Sequence, residues 1–430
     1  MNPYGLFAED AIQRYKELPE EQNELYKRKY VSLSHENLFD IFSEGPSAED
    51  NVSLDALAKT LFINSAIRFD AIITGDSHLL GPNVKNITVI SPQEVRMDTL
   101  ERKLYKSADD KLAALIHAFT NKIIFIDVPK GTKSNINILF INTGRPLAAQ
   151  VMINAGEESN VEILEWYAST SKKVSALGVM HEGEVGSYSN VSIDAVHNEN
   201  AETVAVGLSK YKVKDGANLH LNYFYNGGSN TRVKNVFDTV APDASVHANE
   251  LVFGSAKQKF DLTSSIQNTA PSTTAELLQR SALMNESSCI MKGFAKIPFG
   301  SKNAKSFVHE YGMLLDKTAY LDSIPAMSID ENEVKATHSS ATGPIDEELI
   351  FYLMSKGLDE NKAKKLLVEG FLSSSVGRFK SASAKLAAAS LVAEKMEKGD
   401  FGVPVKISTE NIWVGRENEE DIFKGHYKYR

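Results

Sequence analysis

From about Ile123 to Ile329 apolar and polar positions alternate with a period of two, as in IIFIDV, NINILFI, NVEILEWY, NLHLNYFYN and SVHANELVF. Alternation puts every second side chain on one face, so some two hundred residues read as strand. Helical windows are scarce there, and the clearest, TTAELLQRSAL, predicts one short helix. The strands share a weak repeat, a polar turn, a small residue and then alternating apolar positions. It recurs around Ser159, Ala217, Ala244, Ser288, Ala304 and Ala319, and the last three are read as about one coil apart. A small corner residue followed by an inward apolar one suits stacked coils that bury their faces only against each other, so a parallel β-helix fits best. Alternation alone leaves an antiparallel sandwich open.

Helical text flanks this core. Residues 1–122 form an N-terminal helical or mixed region, with a polar helix expected over RYKELPEEQNELYKRKY. In LDALAKTLFIN the pattern places Leu54, Leu57, Leu61 and Phe62 on one face. The β-helix core is assigned to 123–337, with a strand ending on His338, and a C-terminal helical domain to 338–399. There Asp346 is the expected N-cap, with Glu347 and Glu348 in the first turn, and Gly357 closes the helix. Asp359 restarts the chain, and an alanine-rich helix is expected from about Phe379 to Met396. Two readings of these helices stand side by side: a cap over the last coil, and a docking surface for a partner presented by Leu349, Ile350, Leu353, Leu366, Leu367 and Phe371. The tail, 400–430, has little apolar periodicity.

Composition narrows the function classes. The chain has 430 residues, 42% hydrophobic and 24% charged, enough for two or three cores. Its 47 basic residues against 56 acidic ones, formal charge -9, oppose a nucleic-acid surface. No apolar run is long enough to span a bilayer, and the start lacks the pattern of a signal peptide, so a cytoplasmic location is expected. With the single cysteine Cys289, an intrachain disulfide and a cluster held by this chain's thiolates alone are both excluded. No GxxxxGK[ST] loop is present, so any use of ATP belongs to a partner. HEGEV at His181 and HEYGM at His309 lack the second histidine of HExxH and read as exposed coil residues.

The run from Pro325 to Leu358, P-A-M-S-I-(x4)-V-K-A-T-H-(x7)-D-E-E-L-I-F-Y-L-M-S-K-G-L, resembles the C-terminal signature of the SufB/SufD family of SUF iron–sulfur cluster assembly proteins. SALMNESSCIMKGFAKI resembles the family's late coils, and the similarity is strong from about Ser264 to Phe371. The resemblance implies a right-handed parallel β-helix with a helical C-terminal domain. It also implies pairing through the β-helices with a SufB-like subunit or a second copy, and docking of a SufC-like ABC ATPase on the helices. No cofactor is then held by this chain alone. A transient iron–sulfur cluster forms in the assembled complex, and ATP is used through the ATPase.

Within the family, aligning on Pro325 and His338 puts Glu310 where SufB members carry an essential cysteine, and Ser339 where they carry a glutamate. His338 followed by Ser339, Ser340 and Gly343 is more similar to the SufD branch; a homodimeric SufB-like scaffold is the alternative. His338 is the candidate iron or cluster ligand, because a neutral imidazole can replace a thiolate at a cluster. Glu310 is either a hard oxygen ligand for ferrous iron or a solvated or paired carboxylate. Outside the family, the competing reading is a β-helix enzyme acting on polysaccharides, which needs acidic residues clustered along an outer cleft.

Overall fold

The computed structural model describes residues 3–19, 35–44, 53–63, 67–82, 84–96, 104–107, 109–399 and 401–406. Two sheets of parallel strands face each other, and from coil to coil the chain alternates between them, the consecutive short strands Tyr320–Ser323 and Ala326–Ile329 sharing one sheet. The first sheet contains Lys133–Asn142, Asn160–Ser169, Asn190–Asn198, Asn218–Tyr225, Ser245–Gly254, Thr274–Leu283, Lys305–Leu314 and Lys335–Pro344. The second contains Lys122–Val128, Leu147–Ala155, Ser175–Val185, Thr203–Val213, Asn230–Thr239, Lys259–Asn268, Ser288–Ile297 and the short Tyr320–Ser323 and Ala326–Ile329. The fold is therefore a parallel β-helix, and the antiparallel sandwich is ruled out. Antiparallel pairing occurs at its N-terminal end, where His78–Leu80 and Ile87–Ile90 close the two sheets.

The register sets the length of a coil: Asn218 pairs with Ser245, 27 residues on, and Thr274 with Lys305, 31 on. Positions 288, 304 and 319 are thus half a coil apart, not a full coil, because each turn has two corners. In one corner column Glu158, Tyr188, Gly216, Asp243, Ser272 and Asn303 adopt left-handed backbone. That conformation turns each N–H along the axis to a carbonyl of the next coil, Tyr188 to Asp215 at 2.8 Å and Ser272 to Lys302 at 2.8 Å. The next residue, among them Ser159, Ala217, Ala244 and Ala304, is buried where only a small side chain fits. Ser288 and Ala319 follow the opposite corner.

The helix expected at TTAELLQRSAL is instead the strand Thr274–Leu283. Its polar residues fall on both faces, Gln279 toward lumen Glu250 and Glu276 and Arg280 toward the covering helix, so the period of two is lost. The lumen core runs the length of the solenoid, from Ile124, Ile138 and Phe140 to Leu277, Met291 and Val308.

Helices cover the outside. Pro3–Glu17, His35–Ser43 and Lys111–Phe119 pack Tyr15, Leu38, Phe42 and Leu115 on Ala176, Met180 and Leu208 of the second sheet. The polar helix expected over Arg14–Tyr30 is described only to Glu17; the rest of it lies outside the described residues. Leu54–Leu61 is helical, but Phe62 begins a strand, Phe62–Ile63, that pairs with Val405–Lys406. Of the tail, only 401–406 is described.

The three C-terminal helices are Glu347–Ser355, Glu360–Arg378 and Ala382–Lys398. The Asp346 carboxylate accepts from Leu349 N–H at 3.0 Å, the Asp359 carboxylate from Lys362 N–H at 2.9 Å, and Gly357 has φ +99°. The last two helices do not roof the last coil. They run back along the outer face of the first sheet, burying Val368, Leu372, Val376, Leu391 and Val392 against Phe224, Leu251 and Phe253. Asp194 accepts from the N–H groups of Lys380 and Ser381 at 2.8 and 2.6 Å. Lys395, wholly buried, donates to the carbonyl of Asn226 at 2.6 Å, to Gln258 Oε1 at 2.8 Å and to the carbonyl of Phe253. Among the described residues, a helical region fastened along the side leaves the end of the solenoid uncovered.

Candidate functional site

Lys335–Pro344 is the last strand of the first sheet, and among the described residues no strand pairs with its far edge. It continues six residues past His338, which is therefore within the strand and not at its end. The Lys335 N–H bonds back to the carbonyl of Ala304 at 2.9 Å and Ile345 N–H to that of Leu314 at 2.8 Å. Backbone groups alternate sides along a strand, so Ala336, His338, Ser340 and Thr342 turn theirs to the open edge. His338 is in register with Val308, and Ser340 with Glu310, both wholly buried one coil earlier. On the last coil no following coil covers the same lumen-facing column among the described residues, and His338 is exposed.

Glu310 is not solvated, contrary to one of the expectations for it. It faces the lumen with no exposed surface and accepts from Gly293 N–H at 2.7 Å and from the Ser323 hydroxyl; the Ser323 and Ser340 hydroxyls are 2.7 Å apart. Gly293 is what admits it, since a Cβ there would fall 2.8 Å from Glu310 Oε1 and 2.6 Å from Val308 Cγ1. Burial pushes the Glu310 carboxyl up from 4.5 to about 7, against the lowering effect of these hydrogen bonds. The folded-state value lies above the unfolded one, so its stabilising contribution is full below pH 4.5 and is lost as pH rises through about 7. Glu310→Gln keeps the shape and an acceptor for Gly293. It is expected to match the parent at about pH 4.5 and to exceed it by about 1–3 kcal/mol at about pH 8 in denaturant titrations. A difference that does not change with pH would show the carboxylate to be solvated.

The lumen holds further acids, in register along one column. Glu250 is joined by Gln279 at 2.6 Å and Asn235 at 2.8 Å, and burial raises its pKa too. Glu165 lies 3.0 Å from His181 Nε2 and accepts from the Tyr167 hydroxyl at 2.7 Å. His181 is therefore buried, not an exposed coil residue, because its strand is lumen-facing there. His309 is half-buried on the outer face, its Nδ1 2.7 Å from the Ser339 hydroxyl. These acids are enclosed, so none of the three lines an outer cleft where a polymer would lie. Cys289 is wholly buried between Phe260 and Leu321 in register, and burial holds its thiol well above the ordinary range. Among the described residues, no three His, Cys, Asp or Glu side chains are placed to hold a metal ion.

The helical region offers a second surface. Ile350 is buried with Ile345 and Ala363, and Leu353 and Leu367 pack on them, so these three face inward. Leu349 and Phe371 are half-buried, and the Phe371 ring centroid lies 4.9 Å from the Arg280 guanidinium carbon. Leu366 is 49% exposed, and with it stand Phe351 at 74%, Tyr352 and Met354. Phe351 and Met354 border a groove of about 250 Å³ floored by Leu315, Ile345 and Ile350. The sequence stripe missed Phe351 and Tyr352, though two aromatics at its margin were the available signal. No described helix is long and apolar enough to cross a membrane.

A protein-family model described as SUF system FeS cluster assembly, SufBD core domain, matches residues 139–371, a span that holds Glu310, His338 and the groove, which Glu347, Glu360 and Lys364 also line. The chain is similar to the iron–sulfur cluster assembly protein SufD of Bacillus subtilis, 23% identical over 72% of this chain and 73% of that one. It is also similar to an iron–sulfur cluster assembly SufBD family protein of Pyrococcus horikoshii, 24% identical over 78% of each. A SufBD family protein of Staphylococcus epidermidis is 27% identical over 28% of this chain. With the parallel coils, the helical region and a family match over more than half its length, the chain belongs to the SufBD family of SUF-system iron–sulfur cluster assembly proteins.

Proposed function

We propose that this chain is a non-catalytic, SufD-like scaffold subunit. In this reading it pairs end to end with a SufB-like solenoid, docks a SufC-like ATPase on its helical region, and contributes His338 to the interface where iron and sulfide are assembled. The observation that carries this is the open last coil, which exposes a histidine beside backbone groups with no partner strand. An unpaired edge of regular strand is a template for another strand, and most solenoids of this length need one end covered. Iron and sulfide are cargo here, and the thiolates that hold them come from the partner, since Cys289 is enclosed. Glu310 and Ser339, in place of the SufB cysteine and glutamate, favour the SufD-like role. For Glu310 itself, the enclosed hydrogen-bonded position favours support of the last coil over direct ligation.

Thr342→Pro tests the edge. It removes one outward N–H, costs no hydrogen bond among the described residues, and leaves proline where edge strands tolerate it. Pairing with the SufB-like partner is expected to weaken by about tenfold or more in sedimentation experiments, with the thermal midpoint nearly unchanged. Unaltered pairing would move the interface elsewhere.

A further inference from the structure

Carboxylates bracket the open strand at both ends. Asp330 and Glu333 stand exposed just before it, and Asp346, Glu347 and Glu348 just after it. From Asp316 to Glu348 there are eight acidic residues and two lysines, Lys317 and Lys335. One bracket is partly offset, because Lys302 lies 3.2 Å from Glu333, and Lys335 is drawn toward the ring of Phe307 at 5.8 Å. No ion pair is made by Asp330, Glu347 or Glu348 among the described residues.

Two copies of a chain that join edge to edge do so about a two-fold axis, so their end strands run antiparallel. The start of one strand then lies beside the end of the other. Asp330 and Glu333 of one copy would face Glu347 and Glu348 of the second, and symmetry repeats the clash at the other end. Paired strands lie about 5 Å apart, so charges flanking their neighbouring ends come within about a Debye length of each other at low ionic strength. Backbone complementarity at this edge is the same for any strand; the charges decide which strand is accepted.

We propose that these acidic brackets select, as the pairing partner, a second solenoid whose end strand is flanked by lysine and arginine, and reject a second copy of this chain. This rests on the reading that the open edge is the pairing surface. The acids are supplied by the turn that enters the last strand and by the start of the helix that follows it, so the selection is built into the segment that also carries His338.

The full-length chain can test this on itself. Asp330→Lys with Glu333→Lys gives a basic bracket at the start and leaves an acidic one at the end, so two such molecules are complementary. In sedimentation velocity at about 0.05 M salt the parent is expected to be monomeric. The doubly substituted chain should dimerise about tenfold more tightly or better, and this gain should fade at about 0.5 M salt. Glu347→Lys with Glu348→Lys reverses the other bracket and should behave alike, which guards against a folding defect in either variant. A parent that is a stable dimer at low salt, or reversed variants that associate no better than the parent, would overturn the selection. Adding Thr342→Pro separates the two levels of the argument. If it returns the reversed variants to monomers, the edge is the surface; if they dimerise regardless, the edge reading fails and takes the inference with it. A parent dimer at low salt that Thr342→Pro dissolves would keep the edge and discard the charge selection.

Discussion

Replacing His338 by asparagine is expected to cut the cluster yield of the assembled complex by about tenfold or more, while folding and pairing stay near those of the parent. Imidazole donates a nitrogen lone pair to iron, and a carboxamide is a far weaker donor of similar size. The side chain is exposed on the last coil, so its loss removes no buried contact and should change stability by only about 0.5 kcal/mol or less. Visible absorbance per complex and bound iron give the yield, and thermal unfolding gives the control. Normal yield would take His338 out of the assembly site; loss of the fold would make it structural.

A second large effect is expected from Phe351→Glu combined with Met354→Glu. Both side chains are exposed on Glu347–Ser355 and line the groove, where a docked partner would bury them. Exposed aromatic anchors of this kind carry a disproportionate share of interface energy, so ATPase binding should weaken about 30-fold or more. Pairing through the end of the solenoid should be spared, since the two surfaces belong to different elements. Ile350 is the wrong position for such a test, because a charge there would break the buried contact with Ile345 and Ala363. Simultaneous loss of ATPase binding and of pairing would mean that the first helix supports the last coil and does not dock a partner.

The parallel coils were legible because small corner residues such as Ala217 and Ala244 recur ahead of alternating text, and only stacked coils need that pairing. What the sequence concealed was the second corner, since Ser288 and Ala319 carry the same pattern as Ala304 half a turn away. Thr274–Leu283 misled as a helix because both of its faces are covered and both carry polar residues, Gln279 inside and Glu276 and Arg280 outside, which hides a period of two. Asp346, Asp359 and Gly357 marked helix ends correctly, as capping depends on neighbours a few residues away. Where the last two helices would lie was not legible: Val376 or Leu391 shows an apolar face without naming the sheet that covers it. Nor could alternation tell that the column of Glu165, Glu250 and Glu310 points into the lumen, because buried acids look like surface ones until Gly293, Gln279 and His181 are seen beside them. His338 was found through its motif, and its exposure at an unpaired edge is a consequence of long-range stacking.

This chain is expected to assemble clusters only as one part of a complex. Anaerobic reconstitution with iron and sulfide, followed by visible absorbance, tests it most directly. The isolated chain should remain colourless, because its thiol is enclosed and a cluster needs about four protein ligands, usually thiolates. Mixed with a cysteine-bearing SufB-like partner and a SufC-like ATPase, it should give a coloured complex whose absorbance falls when this chain is left out. A full cluster on the isolated chain, or equal colour without it, would contradict the account.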